Sequence, residues 1–114
     1  MTIREISSFV QAEILCGEAY LDQMQNCAFS SDLMSDVLTI KTDNFLLITG
    51  LANIQSIRTA EMSDVKCVLL VRGKEATPDM IELANESGMV LMRTPFSMFK
   101  TSGILFSAGL SPVY

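Results

Sequence analysis

Phe45-Leu46-Leu47-Ile48-Thr49-Gly50, Cys67-Val68-Leu69-Leu70-Val71-Arg72-Gly73 and Val90-Leu91-Met92-Arg93-Thr94 are the stretches whose reading decides the fold. Each is a short apolar run closed by a polar pair: Thr49-Gly50, Arg72-Gly73 or Arg93-Thr94. Apolar runs without polar alternation suit strands covered on both faces. Helical segments follow these runs, and alternating strands and helices predict an α/β fold with a parallel sheet.

Working outward, Asn53 is placed to cap a helix reaching about Met62, with Ile54 and Ile57 inward and Arg58 able to pair with Glu61. Thr77-Pro78-Asp79 opens the next helix: a cap, a proline at the first helical position and an acid for the dipole. Met80, Ile81, Leu83 and Ala84 face inward, and Gly88 ends the element. Thr94-Pro95 repeats the cap-and-proline start. Phe96, Phe99, Gly103 and Phe106 then form one stripe, expected in the core, with Gly103 allowing close approach of a neighbouring element.

Toward the N-terminus, Thr2 and Glu5 form a capping-box pattern for a helix to about Val10, with Ile3, Ile6 and Val10 on one face. Glu13–Cys16 reads as a strand ended by Gly17, and Gln25–Phe29 as another. Ser31 or Asp32 caps a short helix on which Asp32 and Asp36 share a face. Such a carboxylate pair can hold Mg²⁺. The favoured reading is a cap and a solvated side chain.

The 114 residues suit one domain. Charged residues make up 18% of the chain, a low share that fits either apolar surface covered by a partner or a compact monomer with many alanines and methionines in its core. The net charge of −5, with no Lys/Arg cluster, argues against nucleic-acid binding. No targeting segment or membrane-length apolar run is visible, so a cytoplasmic location is expected. Cys16, Cys27 and Cys67 form no CxxC pair, which disfavours a disulfide framework or a zinc site.

The chain has no histidine, no GxGxxG and no complete P-loop around Gly73-Lys74. The usual triads and proton shuttles are therefore excluded. A binding module is expected rather than an enzyme, with no metal or cofactor. In open parallel sheets ligands bind beyond the carboxyl ends of the strands. Helix N-termini gather there and favour anions. The candidate ligand contacts are thus Thr49, Gly50, Arg72, Gly73, Arg93, Thr94 and Ser97. The alternative is that both arginines pair with acids such as Glu75 or with helix carbonyls.

Several of these segments, in this order, resemble the DRTGG domain. They run Leu47-Ile48-Thr49-Gly50, Val68–Gly73, Pro78-Asp79, Glu82-Leu83-Ala84, Gly88–Thr94 and Phe99, preceded by Glu13–Glu18 and Ser31–Val37. The pattern is similar also to the N-terminal domain of HPr kinase/phosphorylase. The resemblance covers nearly the whole chain and implies a single domain over residues 1–114. It implies a three-layer α/β/α arrangement around a largely parallel sheet. It further implies a regulatory or assembly role without chemistry of its own, a homodimer and a protein partner. A nucleotide or other phosphorylated ligand is the alternative. Arg72-Gly73 departs from the small Thr-Gly-Gly-like turn that many members carry there.

Overall fold

The computed structural model describes residues 1–114. The apolar runs form the strands β3 (Leu46–Thr49), β4 (Cys67–Leu70) and β5 (Val90–Arg93), whose residues are buried except for half-buried Arg93. They pair in parallel, and β2 (Cys27–Ser30) pairs in parallel with β3. β1 (Glu13–Cys16) runs antiparallel on the outer side of β5, and the short β6 (Ser111–Pro112) lies outside β2. The sheet order is β1-β5-β4-β3-β2-β6.

The helices are α1 (Ile3–Phe9), α2 (Met34–Val37), α3 (Ile54–Met62), α4 (Pro78–Glu86) and α5 (Met98–Ser107). The strands β2 to β5 follow one another across the sheet. Right-handed crossovers taken in one direction put α2, α3 and α4 on the same face. There Met34, Val37, Ile57, Ala60, Met80 and Ala84 pack on Leu47, Val68, Leu70 and Leu91. After β5 the chain returns across the whole sheet to β6, which places α5 on the opposite face. Ile3, Ile6 and Val10 of the α1 segment and Leu105 of α5 pack there on Leu46, Ile48, Leu69, Val71 and Met92. The result is the expected three-layer α/β/α architecture.

Local signals explain most boundaries. Thr2 Oγ1 accepts from Glu5 N at 3.1 Å and Glu5 Oε1 accepts from Thr2 N at 2.8 Å, completing the capping box. Asn53 caps α3 through Ser56 N. Thr77 occupies the cap of α4, but its hydroxyl donates to Asp79, and Asp79 accepts from Met80 N. Gly17 adopts a left-handed φ of 89° where the chain leaves β1.

Four expectations are corrected. α5 begins at Met98 with Ser97 as its cap, not at Thr94-Pro95. The Thr94 hydroxyl is already committed, donating to Val10 O and accepting from Phe96 N. The aromatic stripe does not enter the core: Phe99 is 91% and Phe106 67% exposed, and no atom lies within 4 Å of a Cβ placed on Gly103. Leu105 and Thr101, on the opposite side of α5, are the buried residues. Asp32 lies before α2, whose cap position is Leu33, so Asp32 and Asp36 do not share a helix face. Arg58 makes no ion pair with Glu61, which instead accepts from Ser87 Oγ.

Candidate functional site

The topology singles out one place on the carboxyl edge. The chain leaves β4 toward α4 on one face and leaves β5 toward α5 on the other. Such a divergence is the switch point at which open α/β sheets form a crevice. Arg72-Gly73 and Arg93-Thr94 flank it. Here the two loops are tied together: Arg72 N donates to Phe96 O and Gly73 N to Thr94 O, both at 2.8 Å.

The register pairs Arg93 with Leu70, two residues before Arg72, and the side chains of the two arginines diverge. Arg93 lies opposite Glu13 on antiparallel β1. Its Nε donates to Glu13 Oε2 at 2.8 Å, and Nη1 lies 3.6 Å from Glu75 Oε1. The hydrogen bond that Arg93 donates to Glu13, reinforced by the charges of Glu13 and Glu75, raises the Arg93 pKa. Its charge is thus balanced within the chain, at the rim of a polar depression that includes Gln11 and Gly73.

Arg72 turns the other way, toward the end of β3. Its backbone is left-handed, with φ at 62°. A Cβ on Gly50 would stand 2.8 Å from Arg72 Nη2 and 3.4 Å from Cζ, so the guanidinium lies over the bare Gly50 backbone. The chain's ion pairs are Arg4–Asp22, Arg93–Glu13 and Arg93–Glu75, none of which engages Arg72. Arg72 is an exposed cation held against a glycine.

Beside it, Asp32 Oδ1 accepts from Gly50 N at 2.6 Å and from Thr49 Oγ1 at 3.1 Å, while Thr49 Oγ1 accepts from Leu51 N. Asp32 therefore closes the β3 turn, a role its sequence position did not disclose. The available signal was register: Ser30 pairs with Ile48, which brings residue 32 level with Gly50. Ser97 is apart from this cluster, capping α5 through Lys100 N. The seven candidate residues thus divide into Thr49, Gly50 and Arg72 around one turn, Gly73, Arg93 and Thr94 around another, and Ser97 at a helix cap.

A second feature lies on the α1/α5 face. α1 and α5 leave the sheet uncovered toward β2 and β6. A groove of about 430 Å³ opens there, lined by Phe29, Phe99, Phe106, Leu110 and Tyr114 among others, and no lining residue is charged. Ser30 Oγ and Ser102 Oγ, 2.7 Å apart, are the polar contact across it. No cluster of three or more His, Cys, Asp or Glu side chains is present. No helix is long and apolar enough to cross a membrane.

The family profile of the DRTGG domain matches residues 5–108. The chain belongs to the DRTGG domain family. Among solved structures, this DRTGG domain is similar to the CBS and DRTGG domains of the regulatory region of Clostridium perfringens pyrophosphatase, solved with its activator, diadenosine tetraphosphate. The likeness has a TM-score of 0.72 at 16% identity and covers 91% of this chain and 45% of that one. The present chain thus spans about half the length of that region. No curated protein matches the sequence.

Proposed function

We propose that this DRTGG domain is a non-catalytic regulatory and assembly module that associates with a second copy of itself and with a partner protein. The observation that carries this reading is the uncharged groove beside α5, with Phe99 and Phe106 exposed on its rim. An apolar stripe left exposed on a helix marks a surface for a partner. α5 buries only one side within its own chain. Multi-angle light scattering tests the reading. A dimer that persists on dilution into the low micromolar range is expected, and a strict monomer at high concentration overturns the self-association.

The unpaired Arg72 supports a second reading, a sensor of a nucleotide or other phosphorylated ligand at the carboxyl edge. In this reading Arg72 contacts the anion and Thr49 and Gly50 shape its floor. Gly73, Arg93, Thr94 and Ser97 complete the surrounding edge. The similar pyrophosphatase region was solved with a nucleotide activator, which makes nucleotides the first class to try. A ligand that binds only the folded state raises its stability, by about 2.7 kcal/mol at a hundredfold excess over Kd. Thermal shift with adenine and guanine nucleotides is therefore the test. Arg72→Asn is the diagnostic variant, because asparagine tolerates the left-handed backbone while removing the cation. Its expected effect is loss of the shift with an unchanged unliganded melting temperature. No shift from any nucleotide in the wild-type protein removes this second reading.

A further inference from the structure

Gly103 lies four residues after Phe99 and three before Phe106, so the two exposed rings flank it almost evenly along α5. A glycine inside a helix costs about 1 kcal/mol relative to alanine. The usual compensation is the close approach of another backbone. Nothing in this chain comes within 4 Å of a Cβ placed there.

We infer that two copies of this chain pack α5 against α5, antiparallel and related by a two-fold axis, crossing at Gly103. Phe99 of each copy then meets Phe106 of the other at the mouth of the groove. The inference rests on the assembly reading above and specifies its contact.

Three observations select a second copy as the occupant. A two-fold contact needs a self-complementary patch, in which residue i meets j while j meets i. The Phe99, Gly103, Phe106 stripe has that form. The chain carries a net charge of −5, so two copies repel on average, whereas the groove lining contains no charged side chain. The exposed rings also supply a large part of the area that a dimer needs. Phe99, Phe106 and Tyr114 are 91%, 67% and 88% exposed. At about 200 Å² for each ring, they present on the order of 500 Å². A stable dimer buries about 800 Å² per partner.

Disulfide trapping tests the crossing. Helix axes pack about 8–10 Å apart and Cα atoms lie about 2.3 Å from the axis. Facing Cα atoms at the crossing would then be roughly 3.4–5.4 Å apart, overlapping the range of about 4.4–6.8 Å seen in disulfides. The full chain with Cys27→Ser, leaving the buried Cys16 and Cys67 in place, is the background for Gly103→Cys. Asp22→Cys, on the exposed segment after β1, is the control. Circular dichroism establishes that each variant folds. Under mild oxidation Gly103→Cys should convert most of the protein to a covalent dimer and Asp22→Cys little of it. Phe106→Glu should raise the dimer dissociation constant at least tenfold and leave a folded monomer. A wild-type dimer in which Gly103→Cys does not cross-link above the control overturns the crossing and leaves the assembly reading standing. A wild-type monomer at every concentration overturns both. If that monomer binds an apolar dye in the groove, the surface belongs to a small apolar ligand instead.

Discussion

At the scale of single residues, position decides whether a side chain is available or committed. Arg72 and Arg93 close adjacent parallel strands, yet one lies over Gly50 without an ion pair and the other is held by Glu13 and Glu75. The difference follows from the neighbouring strand: β1 brings an acid opposite Arg93, and the glycine that follows β3 lies beside Arg72. Gly17 is the most constrained glycine. A Cβ there would lie 2.8 Å from Met89 O and from Val90 Cα, both backbone atoms, and its φ is left-handed. Gly17→Ala should therefore cost roughly 2–4 kcal/mol, combining left-handed strain with overpacking. Urea denaturation measures it. Two exposed acids contribute to the acid limb of stability. The Thr2 backbone and hydroxyl hydrogen bonds lower the Glu5 pKa, and the Thr77 hydroxyl lowers that of Asp79. A carboxyl lowered in the fold gives stability that is present above the ordinary carboxylate range. That stability is lost as pH falls through the folded value. The denaturation midpoint should fall on acidification below that range, and less steeply in Glu5→Gln. At the other extreme, burial raises the Cys67 thiol pKa, so its contribution is lost as pH rises past the ordinary thiol range.

At the scale of elements, α5 presents opposite properties on its two sides. Leu105 is 1% exposed and packs in the core with Ile48 and Leu69, whereas Phe106, the next residue, is 67% exposed. Leu105→Ala should lose about 2–5 kcal/mol through lost burial and a residual cavity. Phe106→Ser, measured at dilutions where association is absent, should change stability by no more than about 0.5 kcal/mol. Equal losses from the two substitutions would place Phe106 in the core and remove the basis for the docking surface. The boundary at the start of α5 has a similar lesson. Thr94-Pro95 carries a good helix-start signal. The hydroxyl is taken by Val10 O, and the carbonyls of Thr94 and Phe96 are taken by Gly73 and Arg72. Tertiary hydrogen bonds keep the segment out of the helix until Ser97, where the next available hydroxyl caps it.

At the scale of the whole molecule, the strand order makes the two faces unequal. The stepwise advance from β2 to β5 uses α2, α3 and α4 to cover one face. A single return through α5, with α1, covers the other. The cover ends short of the β2–β6 side, and the groove is the consequence. If copies associate through it, folding is linked to assembly by mass action. The apparent melting temperature should then rise with protein concentration, by a few degrees over a hundredfold range. The monomeric Phe106→Glu variant should show no such rise, and differential scanning fluorimetry at several concentrations distinguishes the two.

The sequence alone determined the parallel strands, because continuous apolar runs such as Cys67–Leu70 can be satisfied only by cover on both faces. It also determined the caps at Thr2 and Asn53, where the partner backbone groups lie within one helical turn. The tertiary structure decided what depends on contacts distant along the chain. Asp32 meets Gly50 through strand register, and Glu13 meets Arg93 across 80 residues. The aromatic stripe of α5 shows a core-like spacing, but spacing reports only that residues share a side of a helix. Which side the rest of the chain covers is set by the order of the strands, and that order turns Phe99 and Phe106 outward.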